Sequence, residues 1–569
     1  MRTLLTVCFF IAVVSTEAQQ NARFTKSDSL RGSINPNRGW WDVQRYDIDV
    51  TPDFETKTIK GNVRINVAVV SQVTDTLQLD LQQPMLVDSI VLEYGTINNN
   101  RRRSIRFQQE QDVVWVLFND ATDRQNQRFI AENLHALVVY YHGKPKEAKK
   151  APWDGGWIWK RDAKGRPWMS VAVQGLGASA WYPCKDHPAD EPDRGASLTI
   201  RVDTALTAVA NGRLMDRKEI SGTGMTAFVW QVQSPINNYN IVPYIGHYIN
   251  WNDTLMGEKG KLDLDYWVLD YNKDAAQKQF KQVKQTIRAL EYWFGPYPFY
   301  EDGYKLVESP HLGMEHQSAV AYGNGLKNGY LARDLSSTGE GLKFDFIIVH
   351  ESGHEWFGNS VTAKDAADLW IQESFTSFSE VLFLDYHFGK ASGNKYCVGV
   401  RQHIENDEPM VAAYGVNARP GIDIYYKGEN MLQTLRHSVD DDEKFRGMLR
   451  KMSNTFYHKT VSTSEIESFI NSELGSDYSG FFDQYLRTTK IPELHYYFDS
   501  SGSFHYKWEN VNTQFQLPLH IAKENYSYTI SPTGQWMCTR FQDGVVRKKE
   551  IEDLERNYYI IVKETKAKR

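Results

Sequence analysis

His350, Glu351 and His354 stand together in the stretch DFIIVHESGHEWFGNSV, residues 345–361. Residues four apart on an α-helix share a face, so both imidazoles can point at one ion. Neutral imidazole is a good zinc donor, and a catalytic zinc takes three protein ligands while keeping a position for water. Two histidines leave the third ligand to be found. Glu373 lies beyond His354 with eighteen residues between them, enough for a turn and for a second helix to return over the histidine face. Glu380, two turns further along that helix, is placed to accept a histidine N–H, which fixes the tautomer and raises ligand basicity. Glu351 has a bearing of its own and can face the water on the zinc. There it would take the proton as water attacks a carbonyl, and later pass it to the leaving amine. The competing reading is a solvated helix face with no metal, and Glu373 counts against it. So does Gly353: a glycine in mid-helix costs about 1 kcal/mol relative to alanine, which suggests that something needs the room.

The elements that must hold these residues follow from periodicity. From Tyr46 to about Gly246 the sequence alternates apolar and polar residues, as in YDIDVTPDFETKTIKGNVRINVAVV, which predicts antiparallel strands with a turn at Thr51-Pro52-Asp53. Asn211-Gly212 reads as a hairpin turn. After Trp267 the pattern becomes helical: one helix over DAAQKQFKQVKQTIRALEYWFG, a strand at GYKLVES, then the ligand helix, expected to end at Gly358-Asn359, and helices over ADLWIQESFTSFSEVLFLDYHFG and NMLQTLRHSV. Beyond Pro492 strands return. The expected organisation is a multidomain chain: an N-terminal all-β domain over 35–250, an α+β domain over 251–490 carrying the metal site, and a small C-terminal β-sandwich over 491–569.

Composition sets limits on function. The chain has 569 residues, 41% hydrophobic and 24% charged, with a net charge of -6. That charge argues against nucleic acid as the main partner, since phosphate binding needs a basic face. Arg101 to Arg103, after a run of asparagines, read as a solvated hairpin turn. Arg2, an apolar run from Leu4 to Val14 and the small residues Thr16 and Ala18 form the pattern of a signal peptide over 1–18. No later segment nears eighteen continuous apolar residues. The expectation is an exported chain, periplasmic or secreted, without an integral membrane segment after cleavage. Cys184, Cys397 and Cys538 remain, an odd and sparse set expected to be buried small hydrophobes rather than a disulfide framework, although one bridge is open to them.

HESGHEWFGNSVTAKDAADLWIQESF closely resembles the gluzincin aminopeptidases, the family of aminopeptidase N and leukotriene A4 hydrolase. WYPCKDHPAD, VANGRL and FGPYPF resemble further stretches of that family in the same order, so the likeness runs from about Tyr46 to Leu494. The resemblance implies a thermolysin-like catalytic domain, one zinc ion per chain on His350, His354 and Glu373, with Glu351 as general base and Glu380 behind a ligand. It also implies three further residues. Glu315, in HLGMEHQ, takes the position that holds the substrate's free α-amino group, and Gln174, twelve residues before Asp186, also touches that amine. Tyr425, two residues before Lys427-Gly428, takes the position whose hydroxyl stabilises the oxyanion.

A carboxylate beside the metal that demands an ammonium makes a hydrolase take one residue at a time from a free N-terminus. Gly313 and Met314 are placed to pair with the peptide backbone as an added strand. The chain departs from the family pattern at Leu312, His316, Ser374 and Asp365-Ala366, which touches the first side-chain pocket but no ligand and not the base. The implied activity is a zinc aminopeptidase acting on peptides. The alternatives are a zinc endopeptidase or epoxide hydrolase of the same family, and a catalytically silent peptide-binding relative.

Overall fold

A computed structural model describes residues 24–566 except 97–98, 119–129, 131, 524–525 and 542–545. The signal-like segment 1–18 lies outside the described residues. The first half is β-structure, as the alternation requires. Trp41–Asp53 pairs antiparallel with Thr58–Val69, and both belong to a ten-stranded sheet in which Trp41–Asp53 also runs parallel to Ala196–Asp203. A second sheet has four strands, Gly156–Arg161, Pro167–Ala172, Thr207–Val209 and Tyr244–Gly246, the second of which ends two residues before Gln174. Trp157, Trp181 and Tyr182 pack edge to face in the core, where burial of large aromatic side chains supplies most of the stabilisation.

Three expected turns fall elsewhere. The strand continues through Thr51-Pro52-Asp53 and the chain reverses over 54–57, because the Asp53 carboxylate accepts the amides of Glu55 and Thr56 and Lys57 takes a left-handed φ of 54°. Arg101 to Arg103 are exposed, as expected, but lie in a strand, Asn99–Glu110, where buried Glu93 opposite accepts Arg102 Nε at 2.9 Å. Asn211-Gly212 is no hairpin turn: it is the crossing from the four-stranded to the ten-stranded sheet. Its polar groups are spent on the next part of the chain, with Asn211 Nδ2 donating to Gln317 O and the Gly212 amide to Ser318 Oγ. The β half thereby grips the segment that carries Glu315.

The catalytic half opens on a five-stranded sheet: β1 (Tyr248–Gly257), β2 (Gly260–Leu269), β3 (Tyr304–Glu308), β4 (Gly313–Met314) and β5 (Val320–Tyr322), in the order β1-β2-β3-β5-β4. β4 is therefore an edge strand, with one side free of strand partners among the described residues. The expected single helix after Trp267 is two, α1 (Lys273–Gln279) and α2 (Gln282–Phe294), parted where Phe280 turns into the core. The ligand helix α3 (Phe346–Gly353) is capped by Asp345 and buried along its whole length. It ends five residues before the expected Gly358, and α4 (Trp370–Phe388) crosses it at Gly353, where a Cβ would lie 2.6 Å from Ser379 Oγ. His354 keeps helical angles of -62° and -20°, so its register with His350 survives. α5 (Tyr426–Val439) packs against α4.

The C-terminal β region has a four-stranded sheet, including Glu493–Phe498 and Phe504–Glu509, and a hairpin of Leu519–Lys523 with Tyr526–Ile530. Its apolar residues share one core with the catalytic helices. Cys184 and Cys397 are buried free thiols, whereas Cys538 is exposed on the sheet's edge strand, against expectation. No helix among the described residues is long and apolar enough to cross a membrane.

Candidate active site

α3 and α4 bring His350, His354 and Glu373 together, with one donor atom from each within 4.8 Å of the others. Donors about 2.0–2.1 Å from a tetrahedral ion stand about 3.3–3.4 Å apart. His354 Nε2 and Glu373 Oε2 are separated by 3.4 Å. The other ring nitrogens are occupied in a way that frees these. His350 Nδ1 donates to Glu380 Oε1 at 2.8 Å, and His354 Nδ1 donates to Phe357 O at 2.9 Å. Each imidazole therefore presents Nε2 with its lone pair towards the cluster, the tautomer a metal requires. Glu380 is held in turn by the Tyr396 hydroxyl.

The electrostatics ask for a cation. Burial by itself lowers the pKa of both histidines, yet the carboxylates around them reverse this: Glu380 at His350 and Glu373 at His354 draw protons onto the rings. Burial pushes Glu373 up, but the adjacent His354 outweighs it and holds the carboxyl low. A divalent ion on the same donors would supply that positive charge, so the residues present fit zinc.

Glu351 lies against the backbone of β4. A Cβ on Gly313 would meet Glu351 Oε1 at 2.4 Å, so a glycine is what lets the carboxylate and the edge strand meet. Burial raises Glu351 to about 7. Glu315 follows Met314, and its carboxylate, with those of Glu351 and the ring of His354, forms a second group of donors within 4.8 Å. Glu315 Oε1 is already bound, accepting Gln174 Nε2 at 2.6 Å and Tyr239 OH at 2.9 Å. Gln174 Nε2 also reaches Glu373 Oε1 at 3.3 Å, which bridges the two carboxylates. Tyr425, at the start of α5, stacks its ring 6.2 Å from that of His350.

The expected site residues are thus gathered into one cluster, and others outside the expected set join it. Tyr239 holds Glu315 from the β half, Asn359 Nδ2 donates to Glu315 O at 2.8 Å, and Arg419 donates to Gln174 Oε1 at 2.7 Å. Asn359 lies five residues beyond His354 in the same motif, whereas Tyr239 and Arg419 have no local spacing that ties them to the site. The departures also find places. His316 is buried and donates through Nδ1 to Tyr244 OH, which donates to Ala319 O. Ser374 Oγ donates to Ile424 O at 2.7 Å and so ties the turn bearing Glu373 to the residue before Tyr425.

Family models match in the same two halves: the Peptidase M1 N-terminal domain over residues 43–239 and the Peptidase family M1 domain over residues 278–485. The chain belongs to the M1 peptidase family. Among its M1 relatives it is 22% identical over 526 residues to a probable aminopeptidase 2 of Sulfurisphaera tokodaii, covering 84% of this chain and 58% of that protein. It is 26% identical over 444 residues to human aminopeptidase B, covering 74% of this chain and 64% of that protein. The chain thus spans about three-fifths of the length of these curated relatives. A solved M1 zinc metallopeptidase from Deinococcus radiodurans shares the fold, with a TM-score of 0.62 at 20% identity, over 79% of this chain and 95% of that one.

Proposed function

We propose that this chain is a zinc aminopeptidase that removes the N-terminal residue of peptides. His350, His354 and Glu373 would hold one zinc ion per chain, with Glu380 orienting His350. When bound, zinc supplies a Lewis acid that polarises the scissile carbonyl and makes water acidic enough to attack near neutral pH. Glu351 takes the proton of the attacking water and returns it to the leaving amine, the work of a buried carboxylate beside the reacting atoms. Tyr425 donates its hydroxyl to the oxygen on which negative charge develops. β4, an edge strand, accepts the peptide backbone along Gly313 and Met314.

The observation that carries this reading is the Glu315 carboxylate, buried beside Glu351 and His354 and held there by Gln174 and Tyr239. A buried carboxylate without a cation is unfavourable, and the ammonium of a free N-terminus is the cation the substrate brings. Glu315 and Gln174 anchor that amine, so the first peptide bond is the one presented to the base. The partners are peptides with a free N-terminus, not nucleic acid, and the N-terminal pattern supports export to the periplasm or the medium. Anilides of free and N-acetylated amino acids test the assignment: the free forms are turned over and the acetylated forms are not. Equal turnover of both would refute it.

A further inference from the structure

Gln174 is followed by Gly175-Leu176-Gly177, and the two glycines make room for two arginines that arrive from distant segments. A Cβ on Gly175 would lie 2.3 Å from Arg419 Nη1, and one on Gly177 would lie 2.1 Å from Arg31 Nη2. Both guanidinium groups line a cavity that opens beside Gln174 and Tyr239 and is bounded on its other side by Leu369 and Gln372, just before Glu373. The cavity meets the amine anchor through Gln174 and Tyr239, which line it and both donate to Glu315.

The charges in the cavity are not equally available. Arg31 is paired with Asp186 at 3.5 Å and donates to Gly175 O at 3.4 Å. Asp186 also accepts the hydroxyl and amide of Ser179. Asp365 spends one oxygen on the Ala367 amide and the other on the Gly415 amide. His187 is buried and, pushed down to about 4 by burial first and then by Arg38, is neutral. Of the two arginines, only Arg419 has no ion pair among the described residues, although its charge helps to hold Glu373 low; it is exposed and donates to Gln174 Oε1 at 2.7 Å.

We propose that Arg419 selects peptides whose N-terminal residue is glutamate or aspartate, an inference that rests on the aminopeptidase reading above. Gln174 joins the two charges a substrate would meet, its Nε2 on Glu315 and its Oε1 on Arg419. An extended glutamate carries its carboxylate about 5 Å from its own α-nitrogen, a length that spans one intervening amide. An N-terminal glutamate thus offers an ammonium to Glu315 and a carboxylate to Arg419 at once, and guanidinium suits carboxylate in a bidentate pair. An N-terminal arginine or lysine would bring like charge to the same place.

The test compares kcat/KM of the zinc-loaded enzyme on glutamyl, glutaminyl, leucyl and arginyl 4-nitroanilides, for wild type, Arg419→Ala and Arg419→Glu. Wild type favours glutamyl over its isostere glutaminyl by about tenfold or more, the worth of one charged hydrogen bond. Arg419→Ala brings that ratio close to one, and Arg419→Glu turns the preference towards arginyl. Wild type preferring leucyl or arginyl, or Arg419→Ala lowering all four by one factor, would overturn the proposal; the latter would leave Arg419 a positioning residue for Gln174. Turnover of none of the four would instead count against the aminopeptidase reading. Calorimetry with zinc-loaded Glu351→Gln then decides the pocket separately: L-glutamate binds about tenfold tighter than L-glutamine if the proposal holds, and equally if it fails.

Discussion

His350, His354, Glu373 and Glu380 come from two helices adjacent in sequence, whereas Gln174, Tyr239, Glu315 and Arg419 come from four segments spread across both halves of the chain. The metal half is buried in a helical core, where α3 has no solvent face and Gly353 leaves no gap between α3 and α4. The amine half sits at a seam between a β-sheet and the catalytic domain and ends in an exposed arginine. The contrast separates two tasks. Ligand geometry tolerates little movement and is built from rigid, locally paired helices. On the proposed function, recognition of one end of a peptide falls to loops and strand ends, where a single side chain can change the preference without disturbing the ligands.

Substitutions in the two halves should therefore fail in different ways. Glu351→Gln removes the base and is expected to lower kcat about 10²–10⁴-fold on every substrate while zinc content, read by metal analysis, stays at one equivalent. Tyr425→Phe should lower kcat about 10²–10³-fold with KM little changed, again without regard to the first residue, as steady-state kinetics would show. Glu380→Ala should weaken zinc binding about 10–100-fold in competition with a chromogenic chelator, and excess zinc should restore turnover. Glu315→Gln belongs to the other half: it should raise KM for free-amine substrates about tenfold or more, the loss of a charged hydrogen bond, while zinc affinity holds. A fall in zinc affinity there would merge the two halves into one. The smallest effect is Ser374→Gly, which removes the bond to Ile424 O and puts a glycine in α4, and should cost about 1–2 kcal/mol in denaturant unfolding.

The same contrast governs what was legible in the sequence. Two histidines at helical spacing and a carboxylate on the returning helix are local patterns, and α3 and α4 honour them even though α3 ends early. Glu315, Gln174 and Tyr425 were reached through the family resemblance, since nothing in their own neighbourhoods points to a shared site. Tyr239 and Arg419 escaped both routes, because their role exists only once the β half has folded against the catalytic half. Turns were the least legible part of the fold. Asn211-Gly212 has hairpin residues, but its amides are claimed by Gln317 and Ser318, and tertiary partners override the local preference. Arg101 to Arg103 are solvated as their charge suggests, but they pair as a strand with Leu92 to Tyr94, with buried Glu93 opposite Arg102.

The central claim is that zinc chemistry here is directed to a free amino end, and one paired measurement tests it: kcat/KM for a short peptide and for its N-acetylated form, with zinc-loaded wild type and Glu351→Gln side by side. The account predicts release of the first residue from the free peptide by wild type, no detectable cleavage of the acetylated form, and near-complete loss in the variant. Internal cleavage of both forms, or a wild type as inert as Glu351→Gln with one equivalent of zinc bound to each, would contradict it.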